Sequence, residues 1–161
     1  MIILVMGVSG SGKTTIGRML AESLNWEFSD ADAFHPQTNI EKMSHGIPLN
    51  DADRQPWLQA MQRAIDQWLQ DDKNMVLACS ALKEAYRQIL WRDKECMKLV
   101  YLKGTFEQIQ HRLQERPHHY MKTEMLQSQF DALEEPEYGT HVDVLQAPEV
   151  IVQQIRTSLG V

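Results

Sequence analysis

A chain of 161 residues with 43% hydrophobic composition is long enough to bury one core, so a single domain over 1–161 is expected. Its 22 acidic residues outweigh 16 basic ones, and the formal charge of −6 argues against non-specific binding to nucleic acid or to an anionic membrane. The cysteines are Cys79 and Cys96 alone, which suggests neither a disulfide framework nor a structural zinc site and points to a reducing, cytoplasmic setting.

The opening run Met1 to Met6 is too short for a membrane span and has no basic leader, so no targeting segment is expected. Within it, Ile2 to Val5 is a continuous run of strand formers, the pattern of a parallel strand buried on both faces. After a glycine-rich loop, Ile16, Met19, Leu20 and Leu24 fall at helical spacing, and a short strand follows from Trp26 to Asp30. A polar stretch from about 31 to 56 reads as a substrate flap with a short helix near Asn39 to Ser44, closed by Gly46 and Pro48. Trp57, Leu58, Met61, Ile65, Trp68 and Leu69 mark one face of a long helix whose first turn accommodates Pro56.

The third strand is Met75 to Cys79, with Ser80 as the expected N-cap of a helix carrying Lys83, Tyr86, Arg87 and Leu90. Leu99 to Leu102 is the fourth strand, and Thr105 with Gln108 forms a capping-box pattern ahead of Phe106, Ile109 and Leu113. A basic segment, about 115–123, reads as a mobile lid, followed by an amphipathic helix around Met125 to Leu133. Val142 to Val144 is a short fifth strand, and Pro148 opens a last helix through Ile151, Val152, Ile155 and Leu159. Such alternation predicts an α/β fold, a parallel sheet of about five strands covered by helices on both faces.

Gly7-Val8-Ser9-Gly10-Ser11-Gly12-Lys13-Thr14 has the form G-x-x-x-x-G-K-S/T. Glycines suit it because backbone N–H groups must turn inward and approach phosphate oxygens with no Cβ between. Gly7, Ser9, Gly10, Ser11, Gly12, Lys13, Thr14 and Thr15 are therefore the expected binders of a nucleoside triphosphate, with Lys13 reaching the β and γ phosphates. Thr14 supplies a hydroxyl to Mg²⁺. The loop alone does not separate a kinase from a switch GTPase or a motor ATPase.

Asp30 and Asp32 stand just past the second strand, where open α/β sheets place ligands. Phosphoryl transfer uses carboxylates to hold the metal's water shell and to take the proton of the attacking hydroxyl. A solvated turn ahead of a helix is the bland reading of the same two residues. One residue apart, they share a face only if the chain turns between them.

Together the phosphate loop, Ser29-Asp30-Ala31-Asp32-Ala33-Phe34-His35-Pro36, Asn39 to Met43, Gly46 to Leu58 and Cys79-Ser80-Ala81-Leu82-Lys83 resemble the bacterial gluconate kinases. The likeness continues through Tyr86-Arg87, Val100 to Gly104 and Leu126 to Pro136, nearly the whole chain. It implies a P-loop nucleoside-monophosphate-kinase-like fold, usually dimeric, that transfers the γ-phosphate of ATP to the 6-hydroxyl of D-gluconate with Mg²⁺. A polyhydroxy carboxylate calls for cations, which Arg54, Lys83 and Arg87 offer, and for hydroxyl acceptors, which Asp32 and His35 offer. A solvated helix face is the bland reading of Lys83 and Arg87. Trp57 is expected in the core.

In the family the lid carries cations that close over the triphosphate. Arg116 matches best, with Arg112 beside it, and His119 is an acceptor candidate that a plain polar loop would also explain. Lys13, Asp32 and Arg116 are then the catalytic set, and Thr14 and Asp30 the metal set. Asp30 takes the metal because the third strand lacks a Walker-B aspartate; the two aspartates remain exchangeable in role. Where family members often have glycine stands Ala31, so the turn must avoid positive φ or tolerate a methyl near substrate. Pro117 to Met121 replaces a more usual glycine-containing lid stretch. Rival readings are a kinase of the same fold for another sugar acid or shikimate, and a nucleotide sensor without turnover.

Overall fold

The structure, a computed structural model, describes residues 1–115 and 123–161. In chain order the elements are β1 (Ile2–Met6), α1 (Lys13–Leu24), β2 (Glu27–Asp30), a 3₁₀ turn (Ala31–Phe34), α2 (Gln37–Ser44) and α3 (Asp51–Gln70). There follow β3 (Met75–Ala78), α4 (Glu84–Leu90), β4 (Met97–Lys103), α5 (Phe106–Gln114), α6 (Thr123–Ala132), β5 (Thr140–Asp143) and α7 (Pro148–Leu159). All strand pairs are parallel and the order across the sheet is β2-β3-β1-β4-β5.

Every residue of β1 is fully buried, as its unbroken apolar run requires. Because successive side chains point to opposite faces, Ile3 and Val5 join Ile16 and Leu20 of α1 and Ile151 and Ile155 of α7 on one side. Ile2, Leu4 and Met6 join Leu58, Met61 and Ile65 of α3 and Leu90 of α4 on the other. Register between β1 and its neighbours puts the ends of β1, β2 and β3 level, so the loops that follow them open on one edge.

Local chemistry moves two boundaries from their expected places. Asn50 and Asp53 form a capping box, so α3 begins at Asp51 and Pro56 stands past the first turn, inside the helix, where it has no N–H to donate to the Ala52 carbonyl. Ala81 takes a left-handed φ of 44°, which delays α4 until Glu84; Lys83 rather than Ser80 is its N-cap, and the Glu134 carboxylate accepts from the Glu84 N–H at 2.8 Å.

Candidate active site

The phosphate loop joins β1 to α1. Gly10 and Gly12 hold φ of 83° and 93°, a region open to glycine at little cost. Gly7 is needed for space: a Cβ there would lie 2.5 Å from the Ser11 Oγ and 3.1 Å from the Leu102 carbonyl. Arg112, in the last turn of α5, reaches the Ser11 carbonyl at 3.4 Å. Thr15 is exposed beside Thr14 in the first turn of α1. Arg116 and His119 lie outside the described residues.

Thr14 Oγ1 donates to one oxygen of Asp30 at 2.7 Å, and the other oxygen accepts the Asp32 N–H at 2.9 Å. That second bond starts the 3₁₀ turn, with Asp30 as its cap, and carries Asp32 off the strand line. So the chain does turn between the two carboxylates, at Ala31. Ala31 is not among the residues at positive φ, and its carbonyl accepts the Trp57 indole N–H at 2.8 Å, so the alanine fits without strain. Hydroxyl and carboxylate oxygens are the hard donors that Mg²⁺ prefers, and it needs few of them because it keeps waters and takes substrate phosphates. No group of three or more His, Cys, Asp or Glu side chains able to hold a metal occurs among the described residues.

Lys13, Asp32, His35 and Arg54 line one cleft of about 210 Å³, walled also by Ser9 and Ser80. A larger hollow of about 510 Å³ lies over β4 and β5, but none of its lining residues belongs to the loop or the aspartate turn. His35 stacks on Trp57 with ring centroids 4.5 Å apart; the tryptophan is buried in the core as expected, yet it also forms part of the cleft wall. The Asn39 amide N–H₂ donates to the Asp53 carbonyl and meets His35 Nδ1 at 3.2 Å. An amide nitrogen only donates, so Nδ1 accepts and Nε2 carries the proton. Burial lowers the His35 pKa, against the pull of Asp32, and keeps the ring neutral. His35 therefore offers a donor at Nε2, not the second acceptor that residue type alone suggested.

Arg54 NH1 donates to the Tyr86 hydroxyl at 2.9 Å and lies over its ring. Lys83 does not line the cleft; its ammonium donates to Asp51 Oδ1 at 2.9 Å. Arg87 is a correction. It is 1% exposed, and its guanidinium is spent on the Ala81, Leu82 and Glu134 carbonyls, Glu84 and the Tyr138 hydroxyl. Those bonds brace the turn after β3, and the side chain does not reach the cleft.

Sequence reasoning missed three residues. Gln129 of α6 clamps the phosphate loop from across the cleft: its Oε1 accepts the Ser9 N–H at 2.7 Å and its Nε2 donates to the Ser9 Oγ at 2.8 Å. Asp51 and Tyr86 lie within the stretches that carry the family resemblance, but no role attaches to them there. No local signal marks any of them, because each acts on a partner more than 30 residues away. Cys79, in contrast, is chemically quiet, since burial pushes its thiol up to about 12.

Comparison with known proteins places this geometry. A family model described as shikimate kinase matches residues 9–157. The chain is 46% identical over 135 residues to the thermoresistant gluconokinase of Escherichia coli (strain K12), covering 84% of this chain and 77% of that protein. The crystal structure of a gluconokinase from Sinorhizobium meliloti 1021 superimposes with a TM-score of 0.89 at 40% identity, covering 98% of this chain and 90% of that one. Shikimate kinase from Aquifex aeolicus vf5 shares the fold, with a TM-score of 0.63 at 19% identity, 99% of this chain and 96% of that one.

Proposed function

The chain belongs to the gluconokinase family, and from that premise we propose that it transfers the γ-phosphoryl group of ATP to the 6-hydroxyl of D-gluconate. The observation that carries this reading is one cleft walled by phosphate-loop Lys13, by Asp32 and by Arg54, a donor anchor, a base and an acceptor cation together. Lys13 and the amides of Gly10, Ser11, Gly12 and Thr14 hold the triphosphate, aided by the N-terminus of α1. Asp32 takes the proton of the 6-hydroxyl as its oxygen bonds to the γ-phosphorus. The bond from that phosphorus to the bridging oxygen breaks, and ADP leaves with the electron pair. Thr14, hydrogen-bonded to Asp30, and Asp30 through water would hold Mg²⁺, which would supply positive charge to the phosphate oxygens.

Arg54 receives the gluconate carboxylate, and neutral His35 donates to a hydroxyl of the acceptor. Arg112, in the last turn of α5, and Arg116, in the lid expected over about 115–123, supply cations to the triphosphate, and His119 serves as an acceptor contact. A homodimer in the cytoplasm completes the proposal; both cysteines are free thiols, and no described helix is long and apolar enough to cross a membrane.

A panel of acceptors with ADP detection tests the reading. D-gluconate should give ADP in proportion to 6-phosphogluconate, with shikimate and neutral sugars near background. ADP formation with shikimate and none with gluconate would overturn it in favour of the other substrate class, and ATP binding without transfer to any acceptor would leave a sensor. Asp32→Asn should lose about 10²-fold or more in kcat at saturating gluconate.

A further inference from the structure

Arg54 and Lys83 carry the same charge but are placed differently, and Tyr86 stands between them. Its ring centroid lies 5.5 Å from the Arg54 guanidinium carbon and 5.7 Å from the Lys83 ammonium, one ring in contact with both cations. Its hydroxyl donates to Asp51 Oδ1, the oxygen that Lys83 also holds at 2.9 Å. A phenol has one proton, so once Asp51 takes it only lone pairs face Arg54, and the hydroxyl accepts from NH1 at 2.9 Å. The direction of the chain is therefore settled: Lys83 gives to Asp51, Tyr86 gives to Asp51, and Arg54 gives to Tyr86.

The ring is 3% exposed and packs with α3 and the opposite face of the sheet, so its hydroxyl has little freedom to wander. Asp51, by contrast, is exposed, and an ion pair there adds little to stability. Its use is to hold a proton in place. A guanidinium has donors to spare after one bond to the phenol, and a planar fork held at one corner can meet a carboxylate with two parallel N–H bonds. Lys83, with its charge already met by Asp51, has no such offer toward the cleft.

Resting on the reading that Arg54 receives the acceptor's carboxylate, we infer that Tyr86 is the positioning residue that aims Arg54. Lys83 and Asp51 act on the acceptor only through its hydroxyl. Specificity for a sugar acid over a neutral sugar then depends on a phenol that never touches the substrate.

Steady-state kinetics of Tyr86→Phe, Lys83→Gln, the double variant and Arg54→Ala test the inference. Tyr86→Phe keeps the ring and both π contacts, and should raise KM for gluconate about tenfold, the scale of one hydrogen bond to a charged group. KM for ATP and the melting midpoint should stay at the wild-type values. Lys83→Gln should raise the gluconate KM less, and the double variant should be no worse than Tyr86→Phe. If the fold-changes of the two single variants multiply in the double, Lys83 touches the acceptor itself and the inference fails. It fails also if Tyr86→Phe keeps the wild-type KM while Arg54→Ala raises it, or if KM for ATP rises as much as KM for gluconate. Arg54→Ala with an unchanged gluconate KM sinks the carboxylate reading instead.

Discussion

The two walls of the cleft are built differently. On the donor side the backbone does most of the work: Gly10 and Gly12 at positive φ, the amides between β1 and α1, and one lysine at the start of the helix. On the acceptor side, side chains from distant elements hold one another, as Arg54 on Tyr86, Tyr86 and Lys83 on Asp51, and Asn39 between His35 and Asp53. Backbone geometry comes from a short local run of residues, whereas a side-chain relay needs the whole fold in place first. The same loop can therefore serve many acceptors, while the acceptor wall is particular to one.

Substitutions should separate the walls. Lys13→Ala removes a cation aimed at the transferring group and should lower kcat by about 10²–10³, with KM for gluconate little changed. A comparable rise in gluconate KM would mean that the walls are not independent. Gln129→Ala cuts the clamp on Ser9 and should raise KM for ATP about tenfold, two hydrogen bonds being lost at the loop. An effect confined to gluconate would assign Gln129 to the other wall.

Asn50→Ala breaks the capping box that starts α3 and should cost about 1 kcal/mol in denaturant unfolding. Its effect on kinetics should fall on gluconate, since Arg54 sits in the turn that the box orders.

The smallest expected effect is a pH dependence. Burial lowers the His35 pKa in the fold below its ordinary 6.5, so the unfolded chain binds that proton more readily. The contribution is fully present above 6.5 and is lost as pH falls through the lower folded value. Wild-type stability should therefore drop more steeply than that of His35→Gln as pH falls below 6.5, and parallel curves would show that burial of the ring costs nothing.

Much of this is legible in the sequence alone. The glycine pattern, the apolar run of β1, the Thr105–Gln108 box and Pro148 at the start of α7 each carry their own structural meaning within a few residues. That Asp32 opens on the same cleft as Lys13 follows from strand ends and topology. Arg87 shows the limit: its spacing one turn from Lys83 suits a solvated face and a ligand equally, and only packing turned it inward to brace the β3 turn. His35 shows another, because its donor role depends on an amide that α2 brings to Nδ1.

By itself, then, the sequence determined the frame of the donor half: where the glycine-rich loop lies, that Lys13 and Thr14 open the helix after it, and that a parallel sheet supports it. Such features depend on backbone conformation and on periods of a few residues, which local chemistry dictates. The tertiary structure alone decided which of three plausible cations faces the cleft, which nitrogen of His35 holds the proton, and that Gln129 reaches the phosphate loop and Tyr86 the Arg54 guanidinium. Those outcomes depend on side-chain hydrogen bonds whose partners are brought into reach by packing, across 120 residues for Gln129 and Ser9, across 32 for Arg54 and Tyr86, and by the entry into α2 for His35 and Asn39.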